Sequence, residues 1–261
     1  SKQSRGLGDV YKRQIMNGMV LHGGIKPYGA TFLVFTDYAR NAVRLSALMG
    51  LPNIFVYTHD SVALGEDGPT HQPIEHIVTL RSTPNLNNWR PADLVETAVA
   101  WKNAVCSKIT PTCLIFSRQG TSAIGRTPEQ ISAIEMGGYL LKEKKDNDIT
   151  IVASGSEVQL ALDAAKELEN KSINANVVSM PSLDIFLQQS SEFQKMVIDP
   201  NKPVLVVECA HPNSWYKILN RSDKVLGIET FGESAPGGEL LEHFGFNKEK
   251  VIQAAKSLIV D

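Results

Sequence analysis

Residues 65–76, with the sequence GEDGPTHQPIEH, concentrate side chains that can carry out acid–base chemistry. Their first nine positions contain two carboxylates, one imidazole, two glycines and two prolines. Because prolines restrict the backbone and glycines permit tight turns, a stiff loop is predicted. Such a loop could hold Asp67 and His71 against a substrate as hydrogen-bonding and proton-transferring groups. An ordinary acidic surface turn is the alternative.

Other candidate side chains follow short apolar runs that are typical of buried strands. The run NIFVY is followed by His59, and the predicted strand TCLIFSR ends in Arg118. In an open parallel sheet, ligands bind at the carboxyl ends of the strands, where loops and helix starts converge. These positions therefore indicate acid–base chemistry and anion binding. A zinc site made of His59, Asp67 and His71 is a second reading, although the sequence offers no typical ligand spacing for it.

An aromatic cluster lies where a predicted strand over residues 30–35 gives way to a predicted helix over residues 37–50. Its members are Phe32, Phe35 and Tyr38. Taken alone, such a cluster is more typical of core packing than of a ligand site.

Short apolar strands alternate with amphipathic helices along most of the chain. A polar stretch over residues 119–148 separates two such series and marks a linker. Strands separated by helices favour parallel sheets that are covered on both faces. We therefore predict an α/β fold class with two tandem domains, each a mostly parallel sheet flanked by helices.

The first fourteen residues follow no helical or strand period and differ from the alternating pattern that begins at Ile15. We expect residues 1–14 to be a non-native or junction leader. The first domain is then expected over residues 15–135 and the second over residues 136–261.

The overall composition argues against several classes of partner. A net charge of -2 over 261 residues gives no electrostatic reason to expect a nucleic acid or an anionic membrane. No apolar run approaches the roughly 20 residues of a membrane span, so we expect a cytoplasmic protein. The three cysteines, Cys106, Cys113 and Cys209, are predicted to be buried thiols, because their number and spacing do not indicate disulfides or a metal site.

Several stretches together resemble the transketolase family. The resemblance runs from about Ile15 to Leu258 and covers the pyrimidine-binding and C-terminal domains of that family. The family's N-terminal domain, which holds the diphosphate of thiamine diphosphate and its magnesium or calcium ion, has no counterpart here. The stretches that carry the resemblance are GEDGPTHQPIEH, TFLVFTDYARNAVRLSALMGL, YTHDSVALGEDGPTHQP, NNWRPADLVETAVAWK, SRQ, VVSMPSLDIF and TFGESAP.

The resemblance changes the interpretation of the aromatic cluster. Phe32, Phe35 and Tyr38 match the pocket that packs around the aminopyrimidine ring of thiamine diphosphate in transketolases. A family glutamate that bonds this ring lies a few residues before the stretch matching residues 15–18. Asp9 lies near that position, but its neighbours do not match and its side chain is one methylene shorter, so we do not assign it that role.

The resemblance also implies roles for the polar candidates. His59 and Arg118 match groups that bind the phosphate of the sugar substrate. Asp67 matches the carboxylate that hydrogen-bonds the C2 hydroxyl of the acceptor aldose. His71 matches the histidine beside the reacting carbonyl and is the expected catalytic residue. The sequence assigns no metal ligand.

The implied reaction is transfer of a two-carbon ketol unit from a ketose phosphate to an aldose phosphate in the pentose phosphate pathway. Active sites of this family form between two subunits, so we expect a homodimer or a partner that supplies the missing N-terminal half. This chain alone is expected to lack thiamine-dependent turnover. Three alternatives stay open: the small subunit of a split transketolase, the β subunit of a 2-oxo acid dehydrogenase, or a non-catalytic dimerisation fragment.

Overall fold

Two β-sheets with helices on their faces form the framework of the protein in a computed structural model that describes residues 4–259. The first sheet has four parallel strands in the order β1-β2-β4-β3. Its strands are β1 (Tyr28–Phe32), β2 (Ile54–Thr58), β3 (Asn87–Trp89) and β4 (Thr112–Phe116).

The second sheet has five strands in the order β5-β7-β6-β8-β9. All pairs are parallel except β5 with β7. The predicted fold class, two mostly parallel α/β sheets in tandem, is therefore confirmed. The strands are β5 (Tyr139–Lys142), β6 (Ile149–Ala153), β7 (Ala175–Ser179), β8 (Val204–Val207) and β9 (Lys224–Leu226).

The helices cover the sheets with apolar faces. In α6, for example, Val158, Ala161, Ala165 and Leu168 are fully buried at helical spacing. The helices are α1 (Ser4–His22), α2 (Thr36–Leu48), α3 (His76–Arg81), α4 (Leu94–Cys106), α5 (Pro128–Ala133), α6 (Glu157–Glu169), α7 (Leu183–Phe186), α8 (Ser191–Val197), α9 (Gly237–His243) and α10 (Lys248–Ile259).

The start of the chain differs from the sequence-based expectation. We expected no regular structure before Ile15, but α1 runs without a break from Ser4 to His22. Tertiary contacts hold this helix: Asn17 Nδ2 donates to Ala42 O at 3.0 Å, and Asn53 Nδ2 donates to Asn17 Oδ1 at 2.7 Å. Residues 1–3 lie outside the described residues, and the origin of residues 1–14 stays a prediction.

The three cysteines differ in burial. Cys113 and Cys209 are buried, whereas Cys106 is exposed at the end of α4, so the prediction of a buried thiol was wrong there.

None of the helices within residues 4–259 has the length and apolar character that a membrane crossing requires.

A buried ionic network joins the two sheets. We call each sheet with its helices a unit. The carboxylate of Asp60, in the unit of the first sheet, accepts from Arg90 Nε at 2.9 Å and contacts Arg90 Nη2 at 2.8 Å. The same guanidinium reaches the unit of the second sheet, where its Nη1 donates to Ser154 O at 2.9 Å and to the carboxylate of Glu157. Burial opposes the charged form, but Glu157, Asp60 and Glu208 raise the pKa of Arg90 well above its ordinary value.

Glu208, which follows β8, extends the network. Arg81 donates to it from Nη1 at 2.7 Å and from Nη2 at 2.8 Å, and Trp215 Nε1 donates at 2.6 Å. Burial alone would raise the pKa of Glu208, but Arg81, Arg90 and the hydrogen bond from Ser154 lower it to about 2. The network therefore holds charged groups of both units together in one buried interface.

Candidate functional site

Three strand ends of the first sheet meet at one edge. Phe32, the last residue of β1, pairs with Thr58 of β2, and Thr58 pairs with Phe116 of β4. Since the strands are parallel and in register, the residues that follow them lie side by side. His59 follows β2 directly, and Arg118 lies two residues beyond β4.

The aromatic cluster lies at this edge rather than in the core. The rings of Phe32 and Phe35 stack at 5.9 Å between centroids, and Tyr38 follows at 5.7 Å from Phe35. Both phenylalanines are half-buried, and 55% of Tyr38 is exposed. The core-packing interpretation is therefore wrong. The local cause is that β1 ends at Phe32 and a 3-10 turn over Leu33–Phe35, closed by backbone hydrogen bonds, replaces the rest of the predicted strand.

His59 has an unusual backbone. Its φ is +62°, in the left-handed region that non-glycine residues seldom adopt. Its ring stacks on Phe32 at 3.8 Å between centroids, and its Nδ1 is 3.0 Å from Thr58 Oγ1. The imidazole therefore extends the aromatic wall of Phe32, Phe35 and Tyr38.

Charged side chains act on this imidazole. Burial lowers the pKa of His59 and the nearby Arg118 guanidinium lowers it further, while Asp60 and Asp67 oppose the shift. The structure thus brings both Arg118 and Asp67 within electrostatic reach of His59. With its pKa lowered, His59 is neutral at neutral pH, and Arg118 carries the permanent positive charge.

The loop between β2 and α3 turns as the sequence predicts. Gly65 and Gly68 have φ values of +98° and +77°, which suit glycine. Backbone hydrogen bonds from Gly68 N to Gly65 O at 3.1 Å and from His71 N to Gly68 O at 3.0 Å close two successive turns. These turns present Asp67 and His71 four residues apart.

His71 lies against the aromatic wall. Its half-buried ring meets the face of Phe35 edge-on, with 5.5 Å between centroids, and its Nδ1 is 2.9 Å from Thr70 Oγ1. Asp67 is exposed. Of the residues predicted from the sequence, His59 and His71 thus pack against the aromatic wall, Arg118 follows β4 at the same edge, and Asp67 lies exposed in the loop.

Two family models match the chain. The transketolase pyrimidine-binding domain matches residues 14–122, and the transketolase-like C-terminal domain matches residues 137–247. The chain belongs to the transketolase family.

Curated and solved transketolases match the chain over nearly its whole length. Transketolase 2 of Vibrio parahaemolyticus is 50% identical over 97% of this chain and 39% of the relative. The crystal structure of a Pichia stipitis transketolase with sedoheptulose 7-phosphate has a TM-score of 0.91 and 43% identity over 97% of this chain and 37% of that one. A split-gene transketolase, described as an inactive β4 tetramer, has a TM-score of 0.79 and 27% identity over 99% of this chain and 82% of that one. The chain therefore spans about 39% of the length of the curated transketolases that it matches.

The loop between β2 and α3 is anchored by residues that the sequence did not reveal. Gln72 is buried, and its Nε2 donates to Gly65 O and to Glu233 O, both at 2.8 Å. Ser234 Oγ donates to Glu66 O at 2.6 Å. The contacts with Glu233 and Ser234 join segments 160 or more residues apart, so no local pattern could have indicated them.

The aromatic wall fits the family cofactor, thiamine diphosphate. Half-exposed aromatic faces suit a planar heterocycle, because stacking leaves the ring nitrogens available. Asp9 is poorly placed to act as a free carboxylate there: its Oδ1 lies 3.3 Å from both Lys12 Nζ and Arg13 Nη1, and its Oδ2 accepts from Thr31 Oγ1 at 3.4 Å. We therefore assign Asp9 no role toward the cofactor.

The zinc reading of the loop is not supported. Within residues 4–259, one group of three imidazole, carboxylate or thiol side chains lies close enough together to share an ion, and it consists of Asp37, Glu75 and His76. His59, Asp67 and His71 do not form such a group.

Proposed function

We propose that this chain is the pyrimidine-binding and sugar-phosphate-binding part of a transketolase. It would take part in transfer of a two-carbon ketol unit from a ketose phosphate to an aldose phosphate, a reaction of the pentose phosphate pathway. The observation that carries the proposal is the packing of His59 and His71 against one aromatic wall, with Arg118 and Asp67 close enough to His59 to act on its charge.

The cofactor and the protein have different roles in this proposal. When bound, thiamine diphosphate would supply the electron sink that the transfer of a two-carbon unit needs. Phe32, Phe35 and Tyr38 would hold its aminopyrimidine ring by stacking. The diphosphate and its magnesium or calcium ion would belong to the family's diphosphate-binding domain, which is not among the domains matched here.

The phosphate of the sugar is held at the strand ends. Arg118 supplies a permanent positive charge and bidentate donors, and the neutral His59 adds a hydrogen bond. His59 is stacked on the aromatic wall and Arg118 follows β4 at the same edge, so together they would select the length and orientation of the substrate.

The loop supplies the groups that act near the reacting carbon. His71, held against Phe35, donates a hydrogen bond or a proton to the carbonyl oxygen as negative charge develops there. Asp67 accepts a hydrogen bond from the C2 hydroxyl of the acceptor and so distinguishes its stereochemistry.

Activity requires a partner. The partner is a diphosphate-binding half, in a homodimeric or complemented assembly in the cytoplasm. The match to a split-gene transketolase that is inactive as a β4 tetramer supports this requirement. Exposed apolar side chains, among them Ile15, Tyr28 and Leu94, are suited to such an interface. No nucleic acid or membrane partner is proposed.

The domain boundaries are proposed on the same basis. We place the pyrimidine-binding domain at residues 15–135 and the C-terminal domain at residues 136–261, after a junction leader at residues 1–14. The matched ranges, which leave residues 123–136 between them, support the internal boundary.

Complementation tests the proposed function. The purified chain is mixed with the diphosphate-binding domain of a related transketolase, thiamine diphosphate, Mg²⁺, a ketose phosphate and ribose 5-phosphate. We expect ribose 5-phosphate to be consumed only by the mixture, and His71→Ala to lower the rate at least about 100-fold. Turnover by the chain alone, or a mixture that assembles but consumes a 2-oxo acid instead of the sugar phosphates, would contradict the proposal.

A further inference from the structure

Three potential metal ligands meet where two helices of the first unit begin. Asp37 lies in the first turn of α2, Glu75 immediately precedes α3, and His76 is the first residue of α3. One donor atom from each residue lies within 4.8 Å of the other two. His76 Nε2 is 3.2 Å from Asp37 Oδ2, and His76 Nδ1 is 3.8 Å from Glu75 Oε2.

Within residues 4–259, the imidazole of His76 has no hydrogen-bond partner. Only 4% of the residue is exposed, yet neither ring nitrogen makes a hydrogen bond to another residue of this range, although both face carboxylates. Buried polar groups nearly always have a partner, so this imidazole requires an explanation. The two carboxylates are 65% and 56% exposed, so they can adjust around a ligand without unfolding the helices.

A metal ion bound to His76 Nε2 would give this nitrogen a partner and would compensate the charge of the carboxylates beside it. A tetrahedral ion with bonds of about 2.1 Å keeps its ligand atoms roughly 3.4 Å apart, close to the separation of His76 Nε2 and Asp37 Oδ2. One imidazole nitrogen with carboxylate oxygens suits a borderline divalent ion better than magnesium or calcium, which prefer oxygen alone. We propose that Asp37, Glu75 and His76 bind a divalent transition-metal ion of the zinc class, with water completing its coordination.

The position of this metal site gives it a structural consequence. Asp37 is the neighbour of Tyr38 in the aromatic wall, and His76 ends the segment that carries His71. A bound ion would therefore clamp the start of α2 to the end of the loop. The site is separate from the proposed cofactor and sugar-phosphate groups, and it can exist whether or not the proposed function holds.

Zinc titration of the full chain tests the proposal without any assay of activity. After treatment with a chelator, the chain is titrated with Zn²⁺ by calorimetry and with Co²⁺ by visible absorption. We expect one equivalent of each ion to bind, with the intense absorption of a tetrahedral cobalt site. His76→Gln and Asp37→Asn should each weaken binding at least about 10-fold, and Asp37→Asn, at an exposed position, should leave the fold intact.

His71→Gln is the matched control, because it removes an imidazole from the same loop but leaves the proposed ligands in place. It should bind zinc as the unchanged chain does. The proposal is overturned if the unchanged chain takes up no stoichiometric zinc, or if His71→Gln abolishes binding while His76→Gln and Asp37→Asn do not.

Discussion

His59 shows how a single residue is fitted to the candidate site. A left-handed backbone at a non-glycine residue costs about 1–3 kcal/mol and persists only where the surroundings enforce it. Here the ring stacks on Phe32 on one side, and the next residue, Asp60, is fixed by Arg90. The strained turn therefore directs the imidazole to the edge where Arg118 and the loop meet.

The pKa of His59 provides a test of this placement. In the pH titration of the histidine C2–H signals by NMR, His59 should titrate below its ordinary value of 6.5, because burial and Arg118 disfavour the protonated ring. Arg118→Gln removes a repulsive charge and should raise this pKa. Asp67→Asn removes an attractive charge and should lower it.

If neither substitution moves the pKa of His59, then Arg118 and Asp67 do not face this imidazole and the residue-level description is wrong.

At the residue scale, the sequence predicted the turns of the loop better than the surroundings of the side chains. The glycines and prolines of the loop predicted tight turns, and Gly65 and Gly68 have the positive φ that such turns need. Residue types alone favoured a buried aromatic cluster, yet Tyr38 is largely exposed. Whether an aromatic ring is covered depends on its neighbours in space, which the local pattern does not contain.

At the scale of elements, the loop from β2 to α3 behaves as part of both units. Its turns belong to the first sheet, but Gln72 and Ser234 bind its backbone to the entry of α9 in the second unit. Space is also limited there, because a Cβ on Gly232 would lie 1.7 Å from Gln72 Oε1. The rigidity that would orient Asp67 and His71 therefore depends on the packing of the second unit against this loop.

Removal of the amide of Gln72 should loosen this loop. Gln72→Ala leaves the carbonyls of Gly65 and Glu233 without their buried donor, so we expect the free energy of unfolding to fall by about 1–3 kcal/mol. Amide hydrogen exchange in residues 65–72 should accelerate by more than the global loss explains. Gln188→Ala, at an exposed glutamine, should change stability by less than about 0.5 kcal/mol. Equal exchange in both variants would show that Gln72 does not anchor the loop.

Element prediction from the sequence succeeded where elements are long or strongly apolar. Strands β2 and β4 lie within about one or two residues of the predicted ends, which was sufficient to place His59 and Arg118 at one edge. The sequence did not reveal the three-residue β3, the short α3 or the antiparallel pairing of β5. These elements depend on partners distant in the chain rather than on their own periodicity.

At the scale of the whole molecule, the buried ionic network makes the two units one structure. Arg90 contacts Asp60 in the first unit and Ser154 and Glu157 in the second, and Arg81 pairs with Glu208 across the same interface. A buried carboxylate that loses its cation is left with an uncompensated charge. The C-terminal domain therefore contributes to the candidate site by supporting the residue next to His59.

Loss of Arg90 should be costly. Arg90→Met leaves Asp60 and Glu157 without their cation in the buried interface. We therefore expect the free energy of unfolding to fall by about 3–5 kcal/mol in chemical denaturation. Lys102→Met breaks the exposed pair of Lys102 and Glu135 and should change stability little. Similar small effects for both substitutions would mean that the network does not join the units.

The sequence could not have predicted this network. Arg81 and Glu208 are 127 positions apart, and Arg90 and Glu157 are 67 apart. Each residue alone resembles an ordinary surface charge, and only the packing of the two sheets buries them together.

The proposed function depends on the sugar phosphate binding where the carboxyl ends of β1, β2 and β4 meet. The most direct measurement compares ribose 5-phosphate with glycolaldehyde, an acceptor without a phosphate, in the complemented enzyme. If Arg118 binds the phosphate, Arg118→Gln should lower kcat/KM for ribose 5-phosphate by about 10–100-fold and leave glycolaldehyde nearly unchanged. Arg221→Gln, at an exposed arginine of the second unit, should affect neither acceptor. Equal losses for both acceptors, or no loss for ribose 5-phosphate, would contradict the account.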